Sequence, residues 1–273
     1  MPDITAAITT YRRNIETLQR AINSIYAQTL KPCEILIIDD NGTEELKSKL
    51  DLSKVRYISY EKNRGVSFAR NYAISVANGE YIAFLDDDDE WMPNKLEIQA
   101  KVLEEYPDSA LVFGGGLKLF ENGDTAPTWS STIFKPDPDY DDMLRADYVG
   151  SASHPLIRVD ILRDLGGFRK MPAVEDYELW IRIAKNGKLR GTDKVLFRKY
   201  MPEGEHVSGN HKRVFQGYKI IYETNRKSYE SNPRAKERIL YNIIRRGIMA
   251  KTPAVLPYCF RWLFARISVI GSK

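Results

Sequence analysis

Tyr81-Ile82-Ala83-Phe84-Leu85-Asp86-Asp87-Asp88-Asp89 joins an apolar run to four consecutive carboxylates. The first five residues read as a buried strand, being short, continuous and apolar. The carboxylates then crowd like charges at its end, which is unfavourable until something positive offsets them. A hard divalent cation carrying phosphate oxygens does this well, so a metal-bound phosphate is the expected ligand.

Working outward from this junction, strand and helix alternate through the first ninety residues. Residues 4–8 and 34–38 are apolar runs, and the stretch 14–28 between them sets Ile15, Leu18, Ile22, Ile25 and Tyr26 at helical spacing, which makes a βαβ unit. A third run, Val55 to Tyr60, leads through Asn63-Arg64-Gly65 into a helical segment over 66–77 and then into the 81–85 strand. The alternation predicts an α/β fold with a mostly parallel, doubly wound sheet whose ligands bind at the carboxyl ends of the strands. Downstream, the pattern predicts a helix over 93–106 and a strand over 111–113 running into a Gly114-Gly115-Gly116 break. A polar, proline-bearing loop over 121–142 follows, then a strand over 154–159 and a short helix over 160–165 stopped by Gly166-Gly167. A helix over 175–186 and a last strand over 195–200 complete the pattern.

The 273 residues, 43% of them hydrophobic, suffice for one large α/β domain or a core domain with a smaller appendage. Two distant cysteines, Cys33 and Cys259, give neither a metal-ligand spacing nor a disulfide framework, as expected in a reducing cytoplasm. Met1 to Thr10 has no basic region or long apolar core, so no secretory signal is expected. From Arg238 onward there are seven basic residues and no acidic ones; taking these seven from the formal +4 leaves −3 for the preceding 237 residues. That distribution argues against nucleic acid as a partner and for a cationic tail facing an acidic surface.

Thr9-Thr10-Tyr11, Asp39-Asp40, Asn63-Arg64-Gly65 with Arg70-Asn71, the four aspartates, Gly166-Gly167-Phe168 and Glu175-Asp176-Tyr177-Glu178-Leu179-Trp180 stand in a definite order. In that order and spacing the chain resembles the family 2 glycosyltransferases of GT-A fold, over roughly residues 4–210. The resemblance implies a GT-A domain over 1–210, with a nucleotide-binding half over about 1–90 and an acceptor half over about 91–210, followed by a helical extension over 211–273. It implies a metal-dependent enzyme that moves a sugar from a nucleotide diphosphate donor, a UDP-sugar by family preference, with inversion at the anomeric carbon and with Mn²⁺ or Mg²⁺ as cofactor.

Residue by residue, the resemblance assigns Asp88 to the metal and Asp86 to the ribose or the metal's water shell. Because the aspartates are consecutive the register is open by one, and Asp87 stands as an alternative ribose or sugar contact. A solvated acidic turn is the bland reading of the same row. Asp39 resembles the uracil-binding aspartate and Asp40 a holder of loop backbone. Tyr11 is placed to stack on the base and Thr9 or Thr10 to bond it through backbone, although the family more often has Pro at the position of Thr9. Asn63, Arg64 and Arg70 fall on the donor side, where a guanidinium fork suits paired oxygens; a surface ion pair is the plain alternative for the arginines. Asp176 matches the catalytic base and Glu175 an acceptor-positioning carboxylate, while the dipole at a helix start would by itself favour both. Gly166, Gly167 and Phe168 match the acceptor loop, with Trp180 either a sugar platform or core. His206 matches a histidine that completes metal coordination, ahead of His211; His154 is unassigned.

Residues 256–270, if helical, gather Leu256, Phe260, Leu263, Phe264, Ile267 and Ile270 on one face flanked by Arg261 and Arg266. Such a face suits adsorption to anionic lipid headgroups, and the absence of a long apolar run excludes a spanning helix; packing on the catalytic domain or forming a dimer is the alternative. These readings together predict a peripheral enzyme on the inner face of the cell membrane, acting on a glycan or polyprenyl-diphosphate-linked acceptor in surface polysaccharide synthesis. Two rivals are a sugar nucleotidyltransferase, for which Thr9 to Arg13 lacks the glycine-rich loop, and a non-catalytic sugar-nucleotide or polysaccharide-binding subunit.

Overall fold

Asn14 opens the first helix by accepting the backbone N–H groups of Glu16 and Thr17 at 2.9 and 3.2 Å, a side-chain cap. The helix then buries Leu18, Ile22 and Ile25 along one side, as their spacing requires. The same logic repeats through the chain, which the computed structural model describes over residues 2–40, 44–201 and 210–271. The first half runs β1 (Ile4–Thr10), α1 (Ile15–Tyr26), β2 (Glu34–Asp39), α2 (Glu44–Lys49), β3 (Arg56–Ser59), α3 (Val66–Val76), β4 (Tyr81–Asp86), β5 (Asp89–Trp91) and α4 (Lys95–Glu105). The second half runs β6 (Ser109–Phe120), β7 (Thr125–Pro127), α5 (Trp129–Thr132), α6 (Tyr140–Arg145), β8 (Leu156–Arg158), α7 (Val159–Asp164), α8 (Glu175–Asn186) and β9 (Lys188–Met201). Four helices follow: α9 (His211–Thr224), α10 (Arg226–Ser231), α11 (Pro233–Met249) and α12 (Leu256–Gly271).

The strands form one mixed sheet in the order β3-β2-β1-β4-β8-β6-β9-β5, with β7 on the side of β6. The expected parallel, doubly wound arrangement holds for β3-β2-β1-β4. Beyond β4 it does not: β8 runs antiparallel to both β4 and β6, and β5 antiparallel to β9. Apolar clusters cover both faces. One takes in α1 with Trp91, Leu96 and Phe197. The other takes in Phe84, Phe168, Trp180 and the buried residues of α9 and α11. The C-terminal helices thus share a core with the sheet.

Three local expectations change. Gly114 and Gly116 do not break the strand but lie inside β6, where a Cβ would sit 2.3 Å from Leu196 and 2.1 Å from Phe197; their bareness lets β9 lie close alongside. β9 begins at Lys188, not 195, because pairing with β6 overrides its polar first half. The stretch 121–142 holds β7, α5 and α6, the last closed by a reciprocal Asp139–Asp142 capping box.

Candidate active site

Three strand ends meet at one edge. β1 sets Thr9 beside Asp86 of β4 and Thr10 beside Asp39 of β2, so the carboxylates arrive at the carboxyl end of the sheet as expected. Along the row, exposure alternates: Asp86 and Asp88 are partly open, whereas Asp87 and Asp89 are buried. Asp87 and Asp88 form the tight turn between β4 and β5, and this turn sends successive carboxylates to opposite sides. Asp87 turns inward, accepting Thr10 Oγ1 at 2.7 Å and Arg13 Nε at 2.9 Å, so its carboxylate is committed to holding the β1–α1 turn and the donor assignment is corrected. Asp89 accepts Ser153 Oγ at 2.8 Å, and Ser153 accepts the Asp86 N–H at 3.0 Å. Burial pushes the Asp89 carboxyl up to about 8, with the Asp86 and Asp88 charges adding and Lys199 opposing.

Arg70 is buried inside α3 and spans the cleft. It donates to Asp86 at 2.8 Å and to Glu175, at the start of α8, at 3.0 Å. Burial is the largest influence and would raise the Asp86 carboxyl, but the Arg70 and Lys199 charges and the Arg70 hydrogen bond together hold it below the ordinary value. Both ends of the fork are taken, so Arg70, read as a donor-side residue with an ion pair as the alternative, is here a buried brace between strand and helix. Next to Glu175, Asp176 accepts its following N–H at 2.8 Å. Desolvation, Glu175 and Asp147 push its carboxyl up to about 8 against the pull of Arg70. Asp147 is itself raised to about 6 by burial, against two backbone N–H bonds. Val174, immediately before this pair, holds φ at 58°, a strained value for a β-branched residue. Gly217 of α9 presses against it: a Cβ there would meet the Ala173 carbonyl oxygen at 2.4 Å.

On the donor side Asp39 is fully buried, bonded by the Tyr57 hydroxyl through one oxygen and without a protein partner at Oδ1. Asp40 accepts the N–H groups of Arg64 and Gly65 at 2.7 and 2.6 Å, holding loop backbone as expected. Asn63 and the Arg64 side chain are exposed, the latter over the Phe68 ring, and Tyr11 is exposed with Arg12 stacked on it. Thr9 is half-buried in β1.

The acceptor-side readings change most. Gly166 and Gly167 both have positive φ, 72° and 66°, and end α7; a Cβ on Gly167 would strike Asn71 Oδ1 at 2.2 Å. Phe168 and Trp180 are buried, edge to face with each other, and the Trp180 indole donates to the Gly150 carbonyl at 2.7 Å. Neither ring is open to a sugar: Phe168 is core instead of acceptor loop, and of the two readings of Trp180 the structure has the core one. His154 is buried among Ser130, Ser151 and Phe197, and burial lowers it to about 3, which keeps it neutral. His211 starts α9 and meets Arg246 at 3.0 Å. His206 lies outside the described residues.

Sequence reading missed Arg13, Ser153, Asp147 and Lys199. Only Arg13, two residues beyond the quoted Tyr11, stood near a motif; the others are brought in by strand pairing and loop packing. A groove of about 740 Å³ lined by Ile15, Gln19, Arg20, Trp91, Met92 and Arg198 takes none of the candidate residues into its wall. Among the described residues no three His, Cys, Asp or Glu side chains converge to hold a metal by themselves. The donor set nonetheless fits one: a cation that keeps substrate oxygens and water needs only one or two carboxylates. Asp88, partly open and held only by Arg13 at 3.2 Å, supplies one.

The chain is 28% identical over 212 residues to an uncharacterized glycosyltransferase of Rickettsia conorii, covering 71% of this chain but 34% of that protein, so it spans about a third of that relative. It is 27% identical over 239 residues to the Escherichia coli UDP-Glc:alpha-D-GlcNAc-diphosphoundecaprenol beta-1,3-glucosyltransferase WfgD, covering 85% of this chain and 88% of that one. The crystal structure of S. aureus TarS 1-349 in complex with UDP-GlcNAc superposes with a TM-score of 0.68 at 19% identity, over 96% of this chain and 79% of that one, which bears out the GT-A fold. Residues 5–166, more than half of the chain, match Glycosyl transferase family 2, and the chain belongs to that family.

Proposed function

We propose that the chain transfers a sugar from a nucleotide diphosphate donor, a UDP-sugar, to a hydroxyl of a glycan carried on a polyprenyl diphosphate, inverting the anomeric carbon. The observation that carries this reading is the pairing of Asp86 and Asp88 on the open side of the strand end with a high-pKa carboxyl, Asp176, across the Arg70 brace. Asp39 Oδ1, a buried acceptor without a protein partner, suits a ring N–H of the base. The name of WfgD, with its UDP-Glc donor and diphosphoundecaprenol acceptor, and the UDP-GlcNAc complex of TarS support the choice.

In the step itself Asp176 takes the proton from the acceptor hydroxyl as that oxygen bonds to the anomeric carbon. The bond from that carbon to the diphosphate oxygen breaks, and its electron pair leaves with the nucleoside diphosphate. An α-linked donor then gives a β-linked product. Asp88, with Asp86, would hold Mn²⁺ or Mg²⁺, which when bound supplies positive charge against the diphosphate. The test is release of nucleoside diphosphate from UDP-, GDP- and TDP-sugars with a lipid-linked acceptor, with Mn²⁺ or with EDTA. Turnover of one donor that falls at least tenfold in EDTA and in Asp88→Ala is the expected result. Tight nucleotide binding without turnover would replace this reading with a binding subunit.

We place this reaction on an anionic membrane surface through α12. Among the described residues no helix is long and apolar enough to cross a membrane. Leu256, Phe260, Leu263, Phe264, Ile267 and Ile270 are 51–71% exposed, while Tyr258 and Ala265 pack inward. Arg261 and Arg266 are ion-paired to Glu223 at 3.4 Å and Glu237 at 2.9 Å, so the flanking charge expected of them is largely neutralised. Apolar burial is therefore the main drive, with exposed Arg245 and Lys251 nearby in sequence adding charge attraction. Co-sedimentation with phosphatidylglycerol vesicles should fall about tenfold or more in Phe260→Ser/Phe264→Ser, from the loss of two buried aromatic side chains. Unchanged binding in that variant would remove α12 from the membrane.

A further inference from the structure

Among the described residues three cations reach the carboxylates of the cleft, and two of them are already held. Arg13 binds Asp87 and Asp88, and Arg70 binds Asp86 and Glu175. Lys199 is the third. β9 sets it opposite Asp89 of β5 in antiparallel register, and residues paired across strands share a face. Phe197, two residues earlier on the same face, stands edge-on against His154 at 4.2 Å, next to the Ser153 that links Asp86 to Asp89. The Lys199 ammonium therefore lies in the charge field of Asp89, Asp86, Asp88 and Asp176, with Asp89 foremost in holding its pKa above the ordinary value. It is cationic throughout the neutral range.

Among the described residues the Lys199 ammonium makes neither an ion pair nor a hydrogen bond. An ammonium carries three donors and no acceptor, and donors left unbonded in a partly buried site cost free energy. What fits is a ligand with several anionic oxygens, entering where Asp86 and Asp88 open. We propose that Lys199 contacts the phosphate oxygens of the donor's diphosphate, the group that departs in the reaction. The assignment rests on the nucleotide-donor reading above. Arg13 and Arg70 would have to break carboxylate pairs to take this part, and a lysine serves phosphate well as a compact point charge.

The test is calorimetric binding of UDP, GDP and TDP, and of their parent nucleosides, in EDTA, to the wild-type protein, Lys199→Met and Lys199→Arg. The wild type should bind one diphosphate more tightly than its nucleoside. Lys199→Met should lose about ten- to a hundredfold in diphosphate affinity, the effect of one charge-assisted bond, with nucleoside affinity unchanged and most of the loss restored by arginine. A mere counter-ion of Asp89 would move the melting temperature and leave this discrimination intact, which would overturn the proposal. Should the Met variant fail to fold, Lys199→Gln serves in its place. A wild type that binds no diphosphate better than its nucleoside removes the donor reading, and this assignment with it.

Discussion

Asp176→Asn should lower the transfer rate by about 10²–10⁴-fold, the usual contribution of a positioned base, while raising the melting temperature. The two effects share one cause. Burial, Glu175 and Asp147 push the Asp176 carboxyl up to about 8, so the folded protein holds that proton more tightly than the unfolded chain does. A folded-state pKa raised above the unfolded value means that this carboxyl's contribution to stability declines as pH rises from the ordinary carboxylate range through about 8. The amide removes that charge, so the stability gain over wild type should be largest near pH 9 and vanish below about pH 4. For the wild type, kcat/KM should climb with pH and level off above about 8, where Asp176 is free to accept the acceptor's proton. Rate and thermal-melt profiles of the two proteins across this range test both halves. If the variant keeps its rate, or gains as much stability at pH 4 as at pH 9, Asp176 is not the base. The strained Val174 and the close approach of Gly217 fit the same picture, since backbone strain persists where the surroundings over-determine a position.

How far the sequence foretold this site depended on the distance over which each partner was chosen. β1 to β4 were readable because their apolar runs and intervening helices are local patterns, whereas the loop that Asp40 holds lies 24 and 25 residues on, beyond α2 and β3, and was supplied by the family resemblance. The row's exposure pattern was not readable, since four identical residues carry no phase; only the turn between β4 and β5 separates partly open Asp86 and Asp88 from buried Asp87 and Asp89. Lys199 sat inside an ordinary strand pattern, and its opposition to Asp89 exists only once β5 and β9 pair. Arg261 and Arg266 read as a free basic flank because their acidic partners lie 38 and 29 residues earlier, on α9 and α11. Trp180 had the helical spacing of a core residue, and core is what it became.

Arg70→Met should cost about 3–5 kcal/mol of stability, the usual consequence of removing one partner from a buried ion pair, and lower the melting temperature by on the order of 10 °C. The guanidinium is 5% exposed and its two bonds tie Asp86, at the end of β4, to Glu175, at the start of α8, residues far apart in the chain. Methionine fills much of the same volume over Phe168, so the loss is one of charge more than of packing. Three carboxylates, Asp86, Glu175 and Asp176, then face one another without their shared cation. The pH dependence separates this account from a packing defect. In the wild type Asp86 is held below its ordinary pKa, so its stabilising contribution is present above the ordinary carboxylate range and fades as pH falls. In the variant these carboxyls are raised instead, and protonation relieves them, so the deficit relative to wild type should be greatest near pH 8 and shrink toward pH 5. Chemical denaturation at both pH values reads the difference directly; a deficit of equal size at each would mean that shape, not charge, makes Arg70 the brace between the donor-side strand and the helix that carries the base.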